Sequence, residues 1–292
     1  MDIIPSDEAK GNSSMRAGSR TIDEDPRLSE DFELNDGQED RQFIRALARG
    51  LEVLRAFRPG ETVLGNQEIA QRTGLKKPTV ARITHTLTTL GYLTRLRQLE
   101  KYQLGAPVLA LGYAAVSAQA ICERVRPAMQ QLAEYIRGSV AIGHRDRLSL
   151  IYIQHCRSRS TITLRMDVGT RVPLATTAIG RAFLMALPES ERSYLVGHIR
   201  AARPSLWPKV SEGLDRATAE YAEHGYCSSF GDWQRDVWAL GTVVPAQDGA
   251  ALLGLNCCVP AFSVEPKRIR EEFAPRLLAL AAHIAQESGQ AS

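Results

Sequence analysis

No stretch of the 292-residue sequence approaches the roughly 20 unbroken apolar residues that a membrane-spanning helix needs. The opening residues, MDIIPSDEAKGNSS, are acidic and lack an apolar core. No secretory signal is therefore expected, no membrane partner either, and the expected compartment is the cytoplasm. Cysteine is scarce: Cys122, Cys156, Cys227, Cys257 and Cys258 make five, an odd number with no Cys-x-x-Cys pair. That pattern argues against a disulfide framework and against a zinc site. Cys257 and Cys258 are adjacent in an apolar run, ALLGLNCCV, where neighbours alternate faces, so they do not easily share one metal. No metal or cofactor is expected, and the thiols read as small buried hydrophobes. A Gly-x-Ser-x-Gly elbow, a His-Glu-x-x-His pair, a P-loop and a dinucleotide fingerprint are all missing. His144, His155, His198 and His224 are scattered singly. An enzyme would have to rely on nucleophiles such as Cys227 or Ser228, and no catalytic residue is assigned.

What the sequence does have is charge, unevenly distributed. The net charge is only +3, but residues 1–40 hold 12 acids against 4 bases, and residues 41–105 hold 12 bases against 4 acids. The acidic leader is poor in aromatics and is expected to be disordered. The basic block, about 65 residues long, has the charge of a phosphate-binding module.

Periodicity divides the rest. In QFIRALARGLEVLRAFR, the residues Phe43, Leu47, Leu51 and Leu54 define one helical face, which Pro59-Gly60 terminates. Gly50 inside it suggests a close helix crossing. Asn66 is expected to cap a short helix, QEIAQRT, that ends at Gly74. After the turn GLKK, Pro78 opens a second helix, PTVARITHTLTTL, with Val80, Ile83, Leu87 and Leu90 inward. YLTRL and KYQL follow as a short hairpin, although its turn lacks Asn-Gly or Asp-Gly. Residues 108–137 are predicted helical, divided by Pro127 into a linker helix and a second helix. From Gly138 the period changes: SVAIG, RLSLIYIQH and TITLR are strand-like, then a loop GTRVP leads into the helix TAIGRAFLMAL. Helices at 189–197 and 211–224, strands VWALGTVVP and ALLGLNCCV, and a final helix at 267–287 complete the chain. Strands adjacent in sequence with helices between the strand groups indicate α+β with an antiparallel sheet. The expected domains are a disordered extension (1–40), a winged helix–turn–helix (41–105), a linker helix (106–120) and an effector-binding domain (121–292).

Two helices joined by a tight Gly-containing turn in a basic module fit a helix–turn–helix, whose partner is double-stranded DNA. At 100° per residue, Pro78, Arg82, His85 and Thr89 lie opposite the apolar face, with Ala81 and Thr88 beside them. Small, polar and cationic side chains near a helix N-terminus suit a major groove about 12 Å wide. Arg82 is the candidate for a bidentate guanine contact and His85 for a second base contact. Thr79 or Thr84 could reach phosphate. Lys76, Lys77 and the helix N-terminus itself would meet phosphates, and Arg95, Arg97 and Lys101 would lay a basic wing on the flanking backbone. The same motif serving only as a protein-interaction module is the alternative.

The segments RALARGLEVLRAF, NQEIAQRTGLKKPTVARITHTLTTLGYL, KYQLGAPVLALG, GTRVPLATTAIGRAFLMALP and, more weakly, GYCSSFGDWQRDV with VVPAQDG resemble the IclR family of bacterial transcriptional regulators. RALARGLEVLRAF and AIGRAF are closest in wording to regulators of aromatic-acid catabolism. The resemblance implies a winged helix–turn–helix, a dimerising linker helix and a GAF-like effector domain. It implies a homodimer or homotetramer on a palindromic operator, repressing or activating, and an effector that is a small organic acid. It places the effector beside the loop Pro173, Leu174, Ala175, Thr176 and Thr177, where a capped helix start could bind a carboxylate. It points to Asp236, nine positions before Pro245-Ala246 and one methylene shorter than the usual Glu, as a pocket acceptor. Trp238 departs from a glycine common there; where the strand already starts at Asp236, alternation puts both on one face and Trp238 would suit a flat aromatic acid. Gly241 stands where the family commonly has Ser or Cys.

Overall fold

A computed structural model describes residues 42–58, 60–117, 120–159, 166–244 and 252–289. The acidic segment 1–40 and the expected strand TITLR (161–165) lie outside the described residues. The N-terminal unit comprises α1 (Arg45–Arg55), α2 (Asn66–Thr73), α3 (Lys77–Thr89) and a hairpin of β1 (Leu93–Leu96) and β2 (Lys101–Leu104). Its core is small: Val53 in the last turn of α1, Ala56 just after it, Ile69, Val80, Leu93 and Tyr102 are buried together. Each such side chain gains roughly 1.5–3 kcal/mol on leaving water, and their common contact fixes how α3 sits on α2. The hairpin forms without Asn-Gly, Leu93 facing Leu104, and its turn ends with Glu100 in the left-handed conformation (φ 53°). Leu64 and Tyr102 exchange backbone hydrogen bonds of 2.9 and 2.8 Å, adding a third short pairing to the wing.

Several local expectations are corrected here. Phe43, Leu47 and Leu51 are 46, 60 and 51% exposed, so most of the expected stripe faces away from the chain's own core, which takes Val53 and Ala56; only Leu54 of that stripe packs against it. No atom lies within 4 Å of a Cβ built at Gly50, so no helix crosses there within the described chain. Asn66 begins α2 rather than capping it; Gly65 is the N-cap, and its own N–H donates to the Glu68 carboxylate at 2.6 Å. Asn66 Oδ1 instead accepts the hydroxyl of Thr84. Leu90 is exposed, and the inward position is Thr84, which is fully buried. Gly74 ends α2 as expected, with φ 66°.

Beyond the wing, α4 (Ala106–Ser117) and α5 (Ala120–Ile136) follow. Pro127 lies inside α5 and does not divide the helices. Six antiparallel strands then form one sheet in the order β5-β4-β3-β8-β7-β6. These are β3 (Ser139–Asp146), β4 (Ser149–Arg157), β5 (Arg171–Pro173), β6 (Cys227–Phe230), β7 (Val237–Val244) and β8 (Leu253–Pro260). The segment GTRVP, expected as a loop, thus supplies the edge strand β5, which pairs with β4. Helices α6 (Ala178–Ala186), α7 (Glu189–Ala202) and α8 (Trp207–His224) stand between β5 and β6 in sequence. The chain closes with α9 (Pro266–Arg268), a π-helical turn (Ile269–Phe273) and α10 (Ala274–Gly289).

The period-2 alternation of the strands sorts side chains into two cores. Val140, Ile142, Leu240, Leu255 and Cys257 pack on one side against Met129 and Ala133 of α5 and Leu277 and Ile284 of α10. Leu150, Tyr152, Val237 and Cys258 pack on the other against Ile179 and Phe183 of α6 and Leu214 of α8. Adjacent Cys257 and Cys258 therefore belong to different cores, as their alternation required. All five cysteines are buried and none forms a disulfide. Burial pushes Cys257 up to about 12 and Cys258 up to about 11, so both remain protonated. The expected α+β architecture, with a helix–turn–helix region followed by an antiparallel sheet flanked by helices, is the one observed.

Candidate functional site

Two regions bring the sequence-derived residues together. On the first, α3 turns Lys76, Lys77, Pro78, Ala81, Arg82 and His85 outward, all exposed, with Thr79 half-buried beside them. The face forms because Val80 and Thr84 anchor the opposite side of the helix in the core. Thr84, considered as a phosphate contact, is not available for one: its hydroxyl donates to Asn66 Oδ1 at 3.1 Å and Ala81 O at 3.2 Å. Lys77 Nζ donates to Gln67 Oε1 at 3.4 Å, an exposed contact that leaves its charge uncompensated. Among the described residues, no carboxylate pairs with Lys76, Lys77, Arg82 or Arg97. The wing is less cationic than its sequence suggests. Arg95 is held by Glu100 at 2.9 Å, and Lys101 reaches back to Glu68 at 3.1 Å. The Gly65 N–H, followed by Lys101, holds the Glu68 carboxyl below the usual carboxylate range.

The second region lies between the sheet and the start of α6. Thr177 is the N-cap: its hydroxyl accepts the Gly180 N–H at 3.1 Å and donates to Pro173 O at 2.6 Å. The first turn of α6 rests directly on β7, because Gly241 has no side chain there; a Cβ would sit 2.3 Å from Ala178 C and Ile179 N. Gly241 is thus what lets the helix start approach the sheet. Beside that contact is a small cavity, about 10 Å³ and room for roughly one water. Its polar wall is Tyr152, Thr177, Ser229, Trp233, Asn256 and Cys258. Asn256 Nδ2 donates to Tyr152 Oη at 3.0 Å, but Asn256 Oδ1 and Trp233 Nε1 are buried without a partner. So is the Thr176 hydroxyl. Buried polar atoms are usually paired, and leaving one unmade costs about 1–3 kcal/mol. Burial drives the Tyr152 phenol upward, keeping it a neutral hydrogen-bond donor. No lining residue carries an acidic group.

Arg181 fixes this arrangement from below. It is buried, its Nε donates to Ala175 O at 3.0 Å, and its Nη1 donates to Asp232 Oδ2 at 2.6 Å. One guanidinium therefore ties the loop before α6 to the β6–β7 connection that carries Trp233. Ala175 is buried and Thr176 half-buried in that loop. Asp236 and Trp238 fall elsewhere. Asp236 is exposed outside the cavity. β7 begins only at Val237, so Val237 and Ala239 face the cavity. Trp238 points to the opposite core, edge-on to Phe230 at 5.4 Å. Tyr152, Ser229, Trp233 and Asn256 were not identified from the sequence. Asn256 had a signal, a lone amide in the apolar run LGLNCCV; Trp233, in the connection GDWQRD, had none.

A winged helix–turn–helix presenting a cationic recognition helix, followed by a sheet domain with a small, mostly apolar cavity, fits a one-component DNA-binding regulator. Two family models match: the IclR helix-turn-helix domain over residues 46–97 and the bacterial transcriptional regulator IclR C-terminal domain over residues 113–286. The chain belongs to the IclR family of DNA-binding transcriptional regulators. It is 36% identical over 197 residues to the HTH-type transcriptional regulator TsaQ1/TsaQ2 of Comamonas testosteroni, covering 67% of this chain and 70% of that one. It is 26% identical to the Pca regulon regulatory protein of Pseudomonas putida, over 82% of each chain. Among solved structures, an IclR family transcriptional regulator from Brucella abortus matches with TM-score 0.81 and 42% identity, over 90% of this chain and 97% of that one. An IclR homologue from Microbacterium hydrocarbonoxydans complexed with 4-hydroxybenzoate shares the fold, with TM-score 0.63 and 17% identity over 85% of this chain and 100% of that one. Among the described residues no helix is long and apolar enough to cross a membrane.

Proposed function

We propose that the cavity beneath α6 senses a small organic acid, most suitably an aromatic one, and that its occupancy alters operator binding by α3 and the wing. The observation that carries this reading is the pair of buried, partnerless atoms in the cavity wall, Trp233 Nε1 and Asn256 Oδ1. A carboxylate at the start of α6 would accept from free backbone N–H groups and from Trp233, and would gain from the helix dipole. A hydroxyl on the far side of the ring would donate to Asn256. Relatives that regulate the Pca regulon or that bind 4-hydroxybenzoate support the class of ligand. At about 10 Å³ the cavity must open to admit a ring, so binding is coupled to movement of the loop before α6.

The DNA contacts in this reading are Arg82 and His85 to bases, with Lys76, Lys77, Thr79, Arg97 and the start of α3 on phosphates and Pro78 and Ala81 against the groove wall. Arg95 and Lys101 contribute only where DNA draws them from Glu100 and Glu68. Dimer formation accounts for the uncovered apolar faces. Ile44, Leu47 and Leu51 of the α1 segment and Leu109, Leu111 and Tyr113 of α4 are all at least half exposed. The reading contains no catalytic step and places the regulator in the cytoplasm.

The test is calorimetric titration of the full chain with benzoate, 4-hydroxybenzoate and aliphatic acids of similar size. An aromatic acid should bind once per chain, and Trp233→Phe, which deletes only the N–H, should weaken it about fivefold to twentyfold. Tight binding that neither Trp233→Phe nor Asn256→Ala weakens would move the site elsewhere. Binding with no effect on operator affinity would remove the sensing role.

A further inference from the structure

The tip of the β3–β4 hairpin touches both functional regions at once. On one side it meets α1 through charged groups. Arg55 Nη2 donates to both oxygens of Asp146, at 2.9 and 2.7 Å, and Arg147 reaches Glu52 with both guanidinium nitrogens, one at 3.2 Å. These side chains are only 19–30% exposed, so the pairs are partly shielded from solvent. Arg147 holds the hairpin turn in the left-handed conformation (φ 56°), where Asn or Gly is usual. Its grip on Glu52 fixes where that strained turn points. On the other side the tip meets the loop before α6. Arg171 of β5 pairs with the same Asp146, and the Leu174 N–H donates to Leu148 O at 3.0 Å. The neighbouring Pro173 O accepts the hydroxyl of the N-cap Thr177 at 2.6 Å.

Thr177, which lines the cavity, therefore lies six positions after Arg171, whose partner Asp146 is also the partner of Arg55. Arg55 lies between Val53 and Ala56, which share a buried core with Val80 of the recognition helix. This route runs from cavity to recognition helix without passing through α4 or α5.

We infer that the β3–β4 hairpin tip couples the cavity loop to the DNA-binding unit within one chain, with Asp146 as the positioning residue that both sides share. The inference rests on the reading of the cavity as the sensing site, and adds the path by which sensing reaches DNA. Movement of the loop before α6 displaces Arg171 and Leu174, the shared carboxylate follows, and the tilt of α1 with its attached α3 changes. Coupling is reciprocal, so DNA binding must also alter the cavity loop.

That reciprocity allows a test requiring no known effector. A duplex is selected from a randomised pool with the wild-type full chain, and hydrogen exchange of the amides in residues 172–180 is measured with and without it. In the wild type, DNA should change their exchange by about fivefold or more. In Asp146→Asn and in Arg55→Gln the DNA-dependent change should fall to about twofold or less, and the double variant should lose no more than either single. An unchanged loop in the wild type overturns the inference, as does a change that both variants retain. Losses that add in the double variant would mark independent structural damage and overturn it as well. Where Asp146→Asn does not fold, Arg171→Gln breaks the same link and is scored by the same rule. If the DNA-dependent change behaves as expected but no acid binds the cavity, the coupling stands and the sensing reading fails.

Discussion

Thr177→Ala isolates the contribution of one hydroxyl to the cavity loop. In the folded chain that hydroxyl accepts from Gly180 N and donates to Pro173 O, and Thr177 is only 5% exposed. Replacing a capping Thr by Ala costs about 1 kcal/mol, within roughly 0.5–2. Pro173 O also loses its donor, and a buried carbonyl left unpaired costs about 1–3 kcal/mol. One side chain makes both bonds, so the effects are not independent, and about 2–3 kcal/mol is expected in total. With two units in the chain a single global unfolding energy is poorly defined, so the assay should be local. If the start of α6 opens as a unit, the Gly180 amide should exchange about 30- to 150-fold faster in Thr177→Ala than in the wild type. Thr177→Ser keeps the hydroxyl and loses a methyl, and should cost less than about 1 kcal/mol. A Thr177→Ala effect below about 0.5 kcal/mol would refute the assignment of both bonds. Equal effects of Ser and Ala would assign the role to the methyl group.

Arg82→Ala should cost about 1–3 kcal/mol in operator binding and relax preference at one base position, read by competition between single-substitution duplexes. Lys77→Ala should weaken all sequences alike and flatten the salt dependence of binding; a sequence-selective loss would assign it to base contact. Gly241→Ala places a Cβ 2.3 Å from the backbone of α6, which no side-chain rotation relieves, so a local loss of about 2 kcal/mol or more is expected, read as about thirtyfold faster exchange of the α6 amides. Burial alone would raise the Asp146 carboxyl, but the Arg55 hydrogen bonds and the charges of Arg171 and Arg55 outweigh it and hold it below its usual value. Its stabilising effect is therefore present above the unfolded value, near pH 4, and is lost as pH falls through the lower folded one. Acid titration should release the hairpin tip from α1, read as faster amide exchange at 147–151, and Asp146→Asn should abolish that acid step.

The sequence disclosed most where one period reported on one environment. In α3 the outward set at 78, 82 and 85 follows because Val80 and Thr84 must face the small core. In α1 the same arithmetic picked out Phe43, Leu47 and Leu51, which are exposed, while Val53 and Ala56 go inside. Periodicity identifies an apolar face and is silent about what covers it; a face meant for another copy looks the same as one meant for the chain itself. The error at Asp236 and Trp238 has a different origin. Strand alternation was counted from 236, whereas pairing begins at Val237 opposite Pro260, and that parity sends Trp238 to the far core. The hairpin contacts of Asp146 and Arg147 with α1 had no local signal, since they join residues about 90 positions apart.

Buried polar groups give a sharper guide to function than either pattern. Thr84 is fully buried, yet Asn66 and Ala81 satisfy it, so its polarity is explained by the packing of α2 on α3. Arg181 is buried, and Ala175 O and Asp232 satisfy it, so it is explained by the architecture of the loop. Ser139 is buried and has Cys258 within 3.2 Å. Against these stand Asn256 Oδ1 and Trp233 Nε1, from β8 and the β6–β7 connection, which converge on one cavity and have no partner there. Asn256 is satisfied on its amide N–H side by Tyr152, but its Oδ1 and the Trp233 indole N–H carry the cost of an unmade hydrogen bond. In the function proposed above, the effector completes them by accepting from the indole and donating to the amide oxygen.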